Sequence, residues 1–279
     1  MDTLPTRLND ICEELPFHTG WFFKDIRTGA SSHRNGNVVV PSASVRKIAI
    51  LMTALKAVYE GKVSLDQRVP IEARYQANDS GCFQHLQPDF SVSLRDALVM
   101  MIIVSDNTCT GAVVDILGLD QVNSFSRSVG MVGTTHRHGV PPLPMDVNHP
   151  LDYTNTTTPN DVGVLLDLIV KGAEDLSIAR DLGCTPDLCL LALEILSWQK
   201  LKTRLPSYLP LGTKVAHKTG TGVRYYNDAG IVYLREEPLF ILSVFTENVP
   251  AELPDGTPGH TSTSQLIGKL CRACYNSLS

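Results

Sequence analysis

A serine and a lysine three residues apart, Ser44 and Lys47, give the first chemical signal in the chain. A serine hydroxyl is a poor nucleophile at neutral pH and needs a neighbouring base. Apolar residues recur at helical spacing from Ile48 onward, which puts Ser44 and Lys47 on one face at a helix start. The positive potential at a helix N-terminus helps to hold a lysine neutral, and a neutral lysine can accept the serine proton.

The same spacing recurs at Ser197 and Lys200, so a serine–lysine pair alone is weak evidence for chemistry. This second pair falls late in a predicted helix, where Ser197 gains nothing from the N-terminal dipole. We interpret it as surface.

A second polar group, Ser105-Asp106-Asn107, follows directly after the apolar run ALVMMIIV. A hydroxyl near the nucleophile can relay a proton to a leaving group, and an amide can bind a substrate carbonyl. Taken alone, the same residues are an ordinary helix N-cap. The triplet therefore gains meaning only beside the other elements.

A third element, Lys218-Thr219-Gly220-Thr221, has the pattern of an edge strand. Side chains alternate along a strand, so Lys218 and Gly220 point one way and Thr219 the other. Gly220 lets a ligand approach, and the N–H of Thr221 could donate to a substrate oxyanion. A cation at Lys218 would suit a carboxylate ligand, whereas a glycine-rich hairpin end is the alternative interpretation.

These elements, in this order, resemble the S-x-x-K, S-D-N and K-T-G motifs of class A β-lactamases and penicillin-binding proteins. The resemblance covers nearly the whole chain. It implies Ser44 as a nucleophile that forms an acyl-enzyme, Lys47 as its base or proton shuttle, and Ser105 as a relay. It also implies a set of substrate-binding residues: Asn107, Lys218, Thr219, Gly220 and Thr221. The N–H groups of Ser44 and Thr221 would form the oxyanion hole.

One departure from that family lies in the loop that carries its deacylating glutamate. Between Arg137 and Asn155 this chain has no glutamate, and Pro141 and Pro142 stand near the expected place. Asn155 replaces the aspartate that closes the family's loop and pairs with its arginine. The loop must therefore be held differently, and its four prolines are candidates for that task.

Three loop residues could activate water in place of the glutamate: Asp146, His149 and Asp152. We favour Asp146 because it lies closest to the expected place, after the proline run. The alternative for each of the three is a solvated loop residue. Lys47 could also serve both half-reactions. Otherwise the acyl-enzyme is long-lived, and the protein binds β-lactams rather than clearing them.

A second departure follows the K-T-G motif, where class A enzymes place an arginine on the next strand to help hold the substrate carboxylate. Arg224 in the connecting loop is the nearest candidate, with a surface arginine as the alternative. We expect His217 to pack behind the strand, since it alternates away from Lys218. Tyr225 and Tyr226 could wall the site.

The elements that must position these residues come from both ends of the chain. Strand patterns are predicted near 19–25 and 32–40 and again at 213–218, 228–234 and 239–246, with helices between them and a closing helix at 261–276. This order predicts an α+β fold: an antiparallel sheet built from both chain ends with flanking helices, plus an all-helical subdomain. We place the sheet subdomain at 1–48 and 205–279 and the helical one at 49–204.

Composition limits the partners. The chain has 279 residues and a net charge of −5, so it lacks the basic footprint of a protein that binds nucleic acid or an anionic membrane surface. Acidic residues near the N-terminus and short apolar runs lead us to expect a cytoplasmic protein with no membrane partner. Seven cysteines suit a reducing compartment, and the C-x-x-C at Cys271 and Cys274 lacks the second pair that a zinc site needs. We expect no metal and no other cofactor.

The favoured interpretation is a serine acyl-hydrolase acting on a small-molecule β-lactam or a related amide or ester. One alternative is a slow-deacylating penicillin-binding or peptidase-like protein, and the other is a non-catalytic binding module. Intact Ser44 and Lys47 argue against the binding module. The missing loop glutamate argues against an efficient class A β-lactamase.

Overall fold

The computed structural model describes residues 3–77, 80–140 and 145–279. Within these ranges the strands are β1 (His18–Asp25), β2 (Ser31–Arg34), β3 (Val40–Pro41), β4 (Arg68–Ile71), β5 (Phe90–Ser93), β6 (Thr156–Thr157), β7 (Val215–Gly222), β8 (Tyr225–Leu234) and β9 (Glu237–Glu247). The α-helices in the same ranges are α1 (Leu4–Glu13), α2 (Lys47–Tyr59), α3 (Leu94–Ile103), α4 (Asn107–Leu117), α5 (Leu119–Ser128), α6 (Pro159–Glu174), α7 (Leu176–Asp181), α8 (Pro186–Ser197) and α9 (Gly259–Leu278).

Five strands form one antiparallel sheet in the order β2-β1-β9-β8-β7. The N-terminal strand β1 pairs with the C-terminal strand β9, from His18 opposite Glu247 to Asp25 opposite Phe240. β7, which pairs with β8, therefore lies at one edge of the sheet. This arrangement confirms the predicted α+β fold with an antiparallel sheet built from both chain ends.

Apolar side chains cover both faces of the sheet. On one face α1 and α9 pack against it in a cluster that includes Trp21, Phe240 and Leu270. The other face packs against the helical part of the chain, where α2 is buried from Lys47 to Leu55. A helix that is apolar on all sides lies in a core rather than at a surface. The start of α2, and with it Lys47, is therefore held firmly by the surrounding helices.

The second predicted strand, 32–40, is split in the structure. β2 ends at Arg34, and the chain turns at Asn35, whose φ of 52° lies in the left-handed region. Asn35 Nδ2 donates to Thr19 O at 3.2 Å, which fixes this turn against β1. Val40 then joins the short strand β3, which pairs with β6 at the end of the loop that begins after Arg137. The continuous strand was therefore a wrong prediction.

The loop predicted after the K-T-G motif is mostly strand. β7 runs to Gly222 and β8 starts at Tyr225, so the turn is short and contains Arg224 with a φ of 61°. The sequence Tyr225-Tyr226-Asn227-Asp228 lacks the apolar alternation by which strands are recognised. Its residues pair with β7 all the same, Gly220 opposite Asn227.

None of the helices in the described ranges combines the length and the apolar character needed to cross a membrane. The cytoplasmic location and the division into subdomains at 1–48 with 205–279 and at 49–204 stay predictions. Cys271 and Cys274 lie buried in α9, packed between that helix and the sheet.

Candidate active site

Ser44 lies in a short 3-10 turn, Ala43–Arg46, that leads directly into α2. Ala43 has a φ of 43°, a left-handed conformation that costs a non-glycine residue about 1–3 kcal/mol. The turn is held from behind, because the N–H and the hydroxyl of Ser42 both donate to Asn155 O, at 2.9 and 3.0 Å. A strained and anchored turn therefore presents Ser44, which is half-buried, at the end of a rigid helix.

The side chain of Lys47 is enclosed by polar partners and is only 1% exposed. Its Nζ lies 2.7 Å from Ser105 O, 2.8 Å from Asn107 Oδ1 and 3.2 Å from Ser105 Oγ. Burial lowers the pKa of Lys47 well below its usual value, and the charges of Lys218 and Arg46 lower it further. A neutral amine can donate to the carbonyl and amide oxygens and keep its lone pair for a hydroxyl proton.

Ser105 connects α3 and α4 in a left-handed conformation, with a φ of 59°, and is 5% exposed. Asp106 caps α4, since its Oδ1 accepts from the N–H of Cys109 at 3.0 Å. Its other carboxylate oxygen accepts from the N–H groups of residues 82 and 83, at 2.7 and 2.8 Å. The helix-cap interpretation of this triplet is thus correct, and the same turn brings Ser105 to Lys47.

On the edge strand β7, Lys218 is fully buried and its Nζ donates to Thr219 O at 2.8 Å. Burial lowers the pKa of Lys218 to about 7, although the charge of Asp228 opposes the shift. A Cβ added at Gly220 would lie 3.0 Å from side-chain atoms of both Ala43 and Val45. Gly220 therefore allows the turn that holds Ser44 to pack against β7, whereas the sequence suggested that it admits a ligand.

A cavity of about 380 Å³ opens in front of Ser44. Its lining combines the turn that holds Ser44, the loop before α4, the end of the loop that starts at Arg137, and the end of β7: Ala43, Ser44, Arg46, Lys47, Ser80, Asn107, Met145, Thr154, Asn155, Thr221, Gly222, Val223 and Tyr225. Of the residues predicted from sequence, Ser44, Lys47, Asn107 and Thr221 meet at this cavity. The other six do not line it: Ser105, Lys218, Thr219 and Gly220, which are buried, and Asp146 and Arg224.

The loop between Arg137 and Asn155 is closed by these two residues themselves. Asn155 Oδ1 accepts from the N–H of Arg137 at 2.7 Å and from that of His138 at 3.0 Å. The Arg137 guanidinium donates to Thr154 O at 2.8 Å and to Thr156 Oγ1 at 3.1 Å. An asparagine thus closes the loop through backbone contacts, without an ion pair. Three of the loop's four prolines, at 141, 142 and 144, lie outside the described residues.

The loop carboxylates do not reach the cavity. Asp146 is exposed, and its Oδ1 accepts from the N–H of Asn148 at 2.7 Å. Asp152 is exposed as well, while the His149 ring lies edge-on to Tyr225 with 6.0 Å between the ring centroids. Within residues 145–152, Met145 lines the cavity. The structure therefore does not bring the favoured residue Asp146 to Ser44, because an aspartate two residues before Asn148 caps its own turn.

The arginine behind the cavity wall is Arg204, not Arg224. The Arg224 guanidinium donates to Val249 O at 3.1 Å and to Asn248 O at 3.3 Å, away from the cavity lining. Arg204 is 7% exposed and donates to Gly220 O at 2.7 Å, to Asn227 O at 2.6 Å and to Thr221 Oγ1 at 2.6 Å. Sequence reasoning missed it because Arg204 lies in a loop that carries no motif.

His217 packs behind β7, as its alternation in sequence predicts. Its Nδ1 lies 2.9 and 3.0 Å from the two carboxylate oxygens of Asp228, and both side chains are buried. Asp228 also accepts from the N–H of Leu205 at 3.0 Å. This contact ties the strand pair to the turn that follows Arg204, and so it fixes the position of that arginine.

Arg46, in the middle of the S-x-x-K motif, also lines the cavity and is 3% exposed. Its guanidinium donates to Gly139 O and lies 3.4 Å from His136 Nδ1. Sequence reasoning missed this residue because the motif leaves its two middle positions free. A charged residue at the start of an otherwise buried helix was the available signal.

Comparisons with known proteins agree with this geometry. The model of a family described as the β-lactamase enzyme family matches residues 3–278. A β-lactamase from Sphaerobacter thermophilus DSM 20745 is 25% identical with a TM-score of 0.82, over 98% of this chain and 96% of that chain. PBP-A is 29% identical with a TM-score of 0.82, over 98% and 95%. A leucine-to-glutamate variant of PBP-A, 28% identical over the same shares and with the same TM-score, was solved as an acyl-enzyme with penicillin G.

A search of curated protein sequences found no match to the chain. The family model nevertheless covers almost every residue, and its match agrees with the S-x-x-K, S-D-N and K-T-G elements, of which Ser44, Lys47 and Asn107 line one cavity. This protein belongs to the β-lactamase enzyme family.

Proposed function

We propose that the protein is a serine acyl-hydrolase that opens a β-lactam, or a related amide or ester, through a covalent acyl-enzyme on Ser44. The observation that carries the proposal is the position of Lys47. Its amine is buried next to the nucleophile turn and lies within hydrogen-bond distance of Ser105 and Asn107. A buried, neutral lysine beside a serine is the arrangement that a serine nucleophile needs in the absence of histidine.

Acylation transfers the Ser44 proton to Lys47 while Ser44 Oγ bonds to the substrate carbonyl carbon. The negative charge that develops on the carbonyl oxygen is received by the N–H groups of Ser44 and Thr221. The proton then passes from Lys47 to the Ser105 hydroxyl, 3.2 Å away, and the Ser105 proton passes to the leaving nitrogen or oxygen. The bond between that atom and the carbonyl carbon breaks, and the acyl group stays on Ser44.

Deacylation reverses the roles with water as the nucleophile. Lys47, neutral again, takes a proton from water while the water oxygen bonds to the acyl carbon. The bond to Ser44 Oγ then breaks, and the proton returns to Ser44. We assign this step to Lys47 with Ser105, because the loop has no glutamate and the Asp146 carboxylate binds the Asn148 N–H instead of facing the cavity.

An anionic group on the substrate is received at the end of β7. The Arg204 guanidinium holds the Thr221 hydroxyl and Lys218 Nζ donates to Thr219 O, so both cations bring positive charge to this edge of the sheet. Arginine and lysine in this position favour a carboxylate over a neutral group. The substrate class we propose is therefore a small lactam, amide or ester that carries a carboxylate near the scissile bond.

A slow-deacylating protein that acylates and holds its ligand is the second candidate. The observation that favours it is the residue type at the loop wall of the cavity, where Met145 offers no proton acceptor. The PBP-A variant that was solved as an acyl-enzyme with penicillin G is a relative, and it supports acylation by penicillins in this chain as well. The two candidates differ in the lifetime of one intermediate.

Intact-mass spectrometry tests the proposal. The protein is mixed with a panel of β-lactams and activated esters, and the mass increase and its decay are followed. Ser44→Ala should abolish the adduct, whereas Ser197→Ala, which changes the other serine–lysine pair, should leave it intact. An adduct that persists in Ser44→Ala overturns the assignment of the nucleophile. Decay within seconds distinguishes turnover from retention.

A further inference from the structure

A buried cation lies beside the proposed base, in a position that the mechanism above does not use. Arg46 precedes Lys47, lines the same cavity and is 3% exposed. Its guanidinium donates to Gly139 O and lies 3.4 Å from His136 Nδ1. No carboxylate among the described residues pairs with it, and burial lowers the pKa of Arg46 only to about 10, so the charge persists at neutral pH.

The two partners that the described residues offer the guanidinium are neutral. Burial and the charge of Arg46 lower the pKa of His136 to about 3, so its imidazole carries no charge. Ser126 Oγ donates to Val122 O at 3.0 Å and therefore accepts from His136 Nε2, 3.2 Å away. That leaves the lone pair of His136 Nδ1 for Arg46. A carbonyl and a neutral ring satisfy hydrogen bonds without cancelling the positive charge.

The charges that face Lys47 come from three directions. Lys218 approaches from β7 and Arg46 from the preceding turn, while Asp106 is the anion at the start of α4. The Asp106 carboxylate is already shared among three backbone N–H groups, and burial raises the pKa of the Cys109 thiol on α4, which stays neutral. Lys218 loses its charge above a pKa of about 7. Arg46 is then the cation near Lys47 that remains.

We propose that Arg46 is a positioning residue for this reaction: together with burial, its charge, which no described carboxylate pairs, keeps the amine of Lys47 neutral, so that one lysine can take up the proton in both acylation and deacylation. This inference rests on the proposed function. A glutamate in the loop would stabilise the protonated lysine. Arg46 contacts the loop at Gly139, so that this wall of the cavity carries a positive charge instead of the negative charge of a glutamate. The same guanidinium thus holds the loop at Gly139 and favours the neutral form of Lys47.

The test is the pH dependence of acylation by penicillin G, followed by rapid-quench intact mass. Only neutral Lys47 accepts a proton, so the rate falls on the acid side of its pKa. Removing the positive charge in Arg46→Gln favours protonated Lys47 and moves the midpoint to higher pH. On the acid limb the rate should fall about tenfold, as for a shift of about one pH unit. At the highest pH the rate should approach that of the wild type. Arg46→Lys keeps the charge and should keep the midpoint.

Asn155→Ala is the matched control, because it loosens the same loop without changing any charge. It should lower the rate at every pH and leave the midpoint in place. An unchanged midpoint in Arg46→Gln, or an equal shift in Asn155→Ala, overturns the proposal. Should Arg46→Gln not fold, His136→Asp sets a carboxylate against the guanidinium and must raise the midpoint in the same sense; an unchanged midpoint there also overturns it.

A second measurement separates this inference from the proposed function. The ¹³Cε resonance of Lys47, titrated without substrate in wild type and Arg46→Gln, reports the protonation of the amine directly. A higher midpoint in Arg46→Gln supports the inference, and an unchanged one overturns it even when Ser44 is acylated normally. The absence of any Ser44 adduct in the wild type, by contrast, contradicts the proposed function itself.

Discussion

The guanidinium of Arg204 lies 2.6 Å from the hydroxyl of Thr221, at the wall of the cavity in front of Ser44. The same group donates to two carbonyls of β7 and β8 and is almost completely buried. A planar guanidinium can hold three oxygens in fixed positions, which the ammonium of a lysine cannot do. Arg204 therefore sets the geometry and the charge of the edge at which we place the substrate anion.

Arg204→Lys should raise KM for a carboxylate-bearing substrate by about tenfold or more, because the fixed hydrogen bonds to β7 are lost. The methyl ester of the same substrate should be affected much less. Arg224→Lys is the matched control, since that guanidinium binds the carbonyls of residues 248 and 249. Steady-state kinetics on both substrates checks the prediction. A larger effect from Arg224→Lys than from Arg204→Lys would assign the anion contact to the residue that the sequence favoured.

Binding of an anionic substrate should also depend on pH through Lys218. Burial lowers the pKa of Lys218 to about 7, so the amine is charged below that pH and neutral above it. The preference for a carboxylate substrate over its methyl ester should thus decline as pH rises through 7. The ratio of the two kcat/KM values cancels the titration of Lys47, which both substrates share. A ratio that stays constant between pH 5.5 and 8.5 would contradict this assignment.

Lys47→Arg should slow acylation by about 10²-fold or more. Arginine keeps the positive charge but does not give up a proton at accessible pH, so it cannot act as the base. Lys56→Arg on the same helix is the control, because Lys56 pairs with Glu60 at the surface. Rapid-quench mass spectrometry gives both rates. An acylation rate near that of the wild type in Lys47→Arg would move the base to another residue.

Penicillin G should acylate Ser44 readily, and the acyl group should be released slowly. A small activated ester, by contrast, should be turned over. Asp146→Asn should leave the decay of the acyl adduct unchanged, since the Asp146 carboxylate accepts from the Asn148 N–H and does not line the cavity. The decay is followed by intact mass after removal of free ligand. Slower decay in Asp146→Asn would restore this residue as the activator of water. Rapid clearance of penicillin by the wild type would instead show that the missing glutamate is fully replaced.

Most of the candidate site could be predicted from sequence because its motif residues lie close together along the chain. Ser44 and Lys47 follow each other on one turn, and Ser105 and Asn107 occupy the start of one helix, so their motifs fix their local geometry. The pairing of β7 with the first residues of β8 could not be predicted, because Tyr225 and its polar neighbours lack the apolar–polar alternation that marks a half-exposed strand. Local pattern alone does not reveal such pairing.

The positions of the two arginines near the cavity, Arg204 and Arg46, could be recognised only in the folded structure. Arg204 reaches Thr221 across a connection that has no motif, and Arg46 becomes notable only because its partners, among them Gly139, are neutral. Asp146 was favoured because it is near the expected glutamate in sequence, and the structure places its carboxylate outside the cavity lining. In all three cases the position of the side chain depends on contacts between residues far apart in sequence, and these contacts cannot be predicted from a single sequence.

The pairing of β1 with β9 has a consequence for the newly made protein. Ser44 and Lys47 leave the ribosome early, whereas β7, β8 and β9 leave it late, and β1 has no partner in the middle of the sheet until β9 arrives. A chain truncated before β7 therefore carries Ser44 and Lys47 without the strand that packs against their turn. Covalent labelling of Ser44 should consequently mark only molecules translated beyond β9, so that a penicillin probe reports chains that contain the whole sheet rather than total polypeptide.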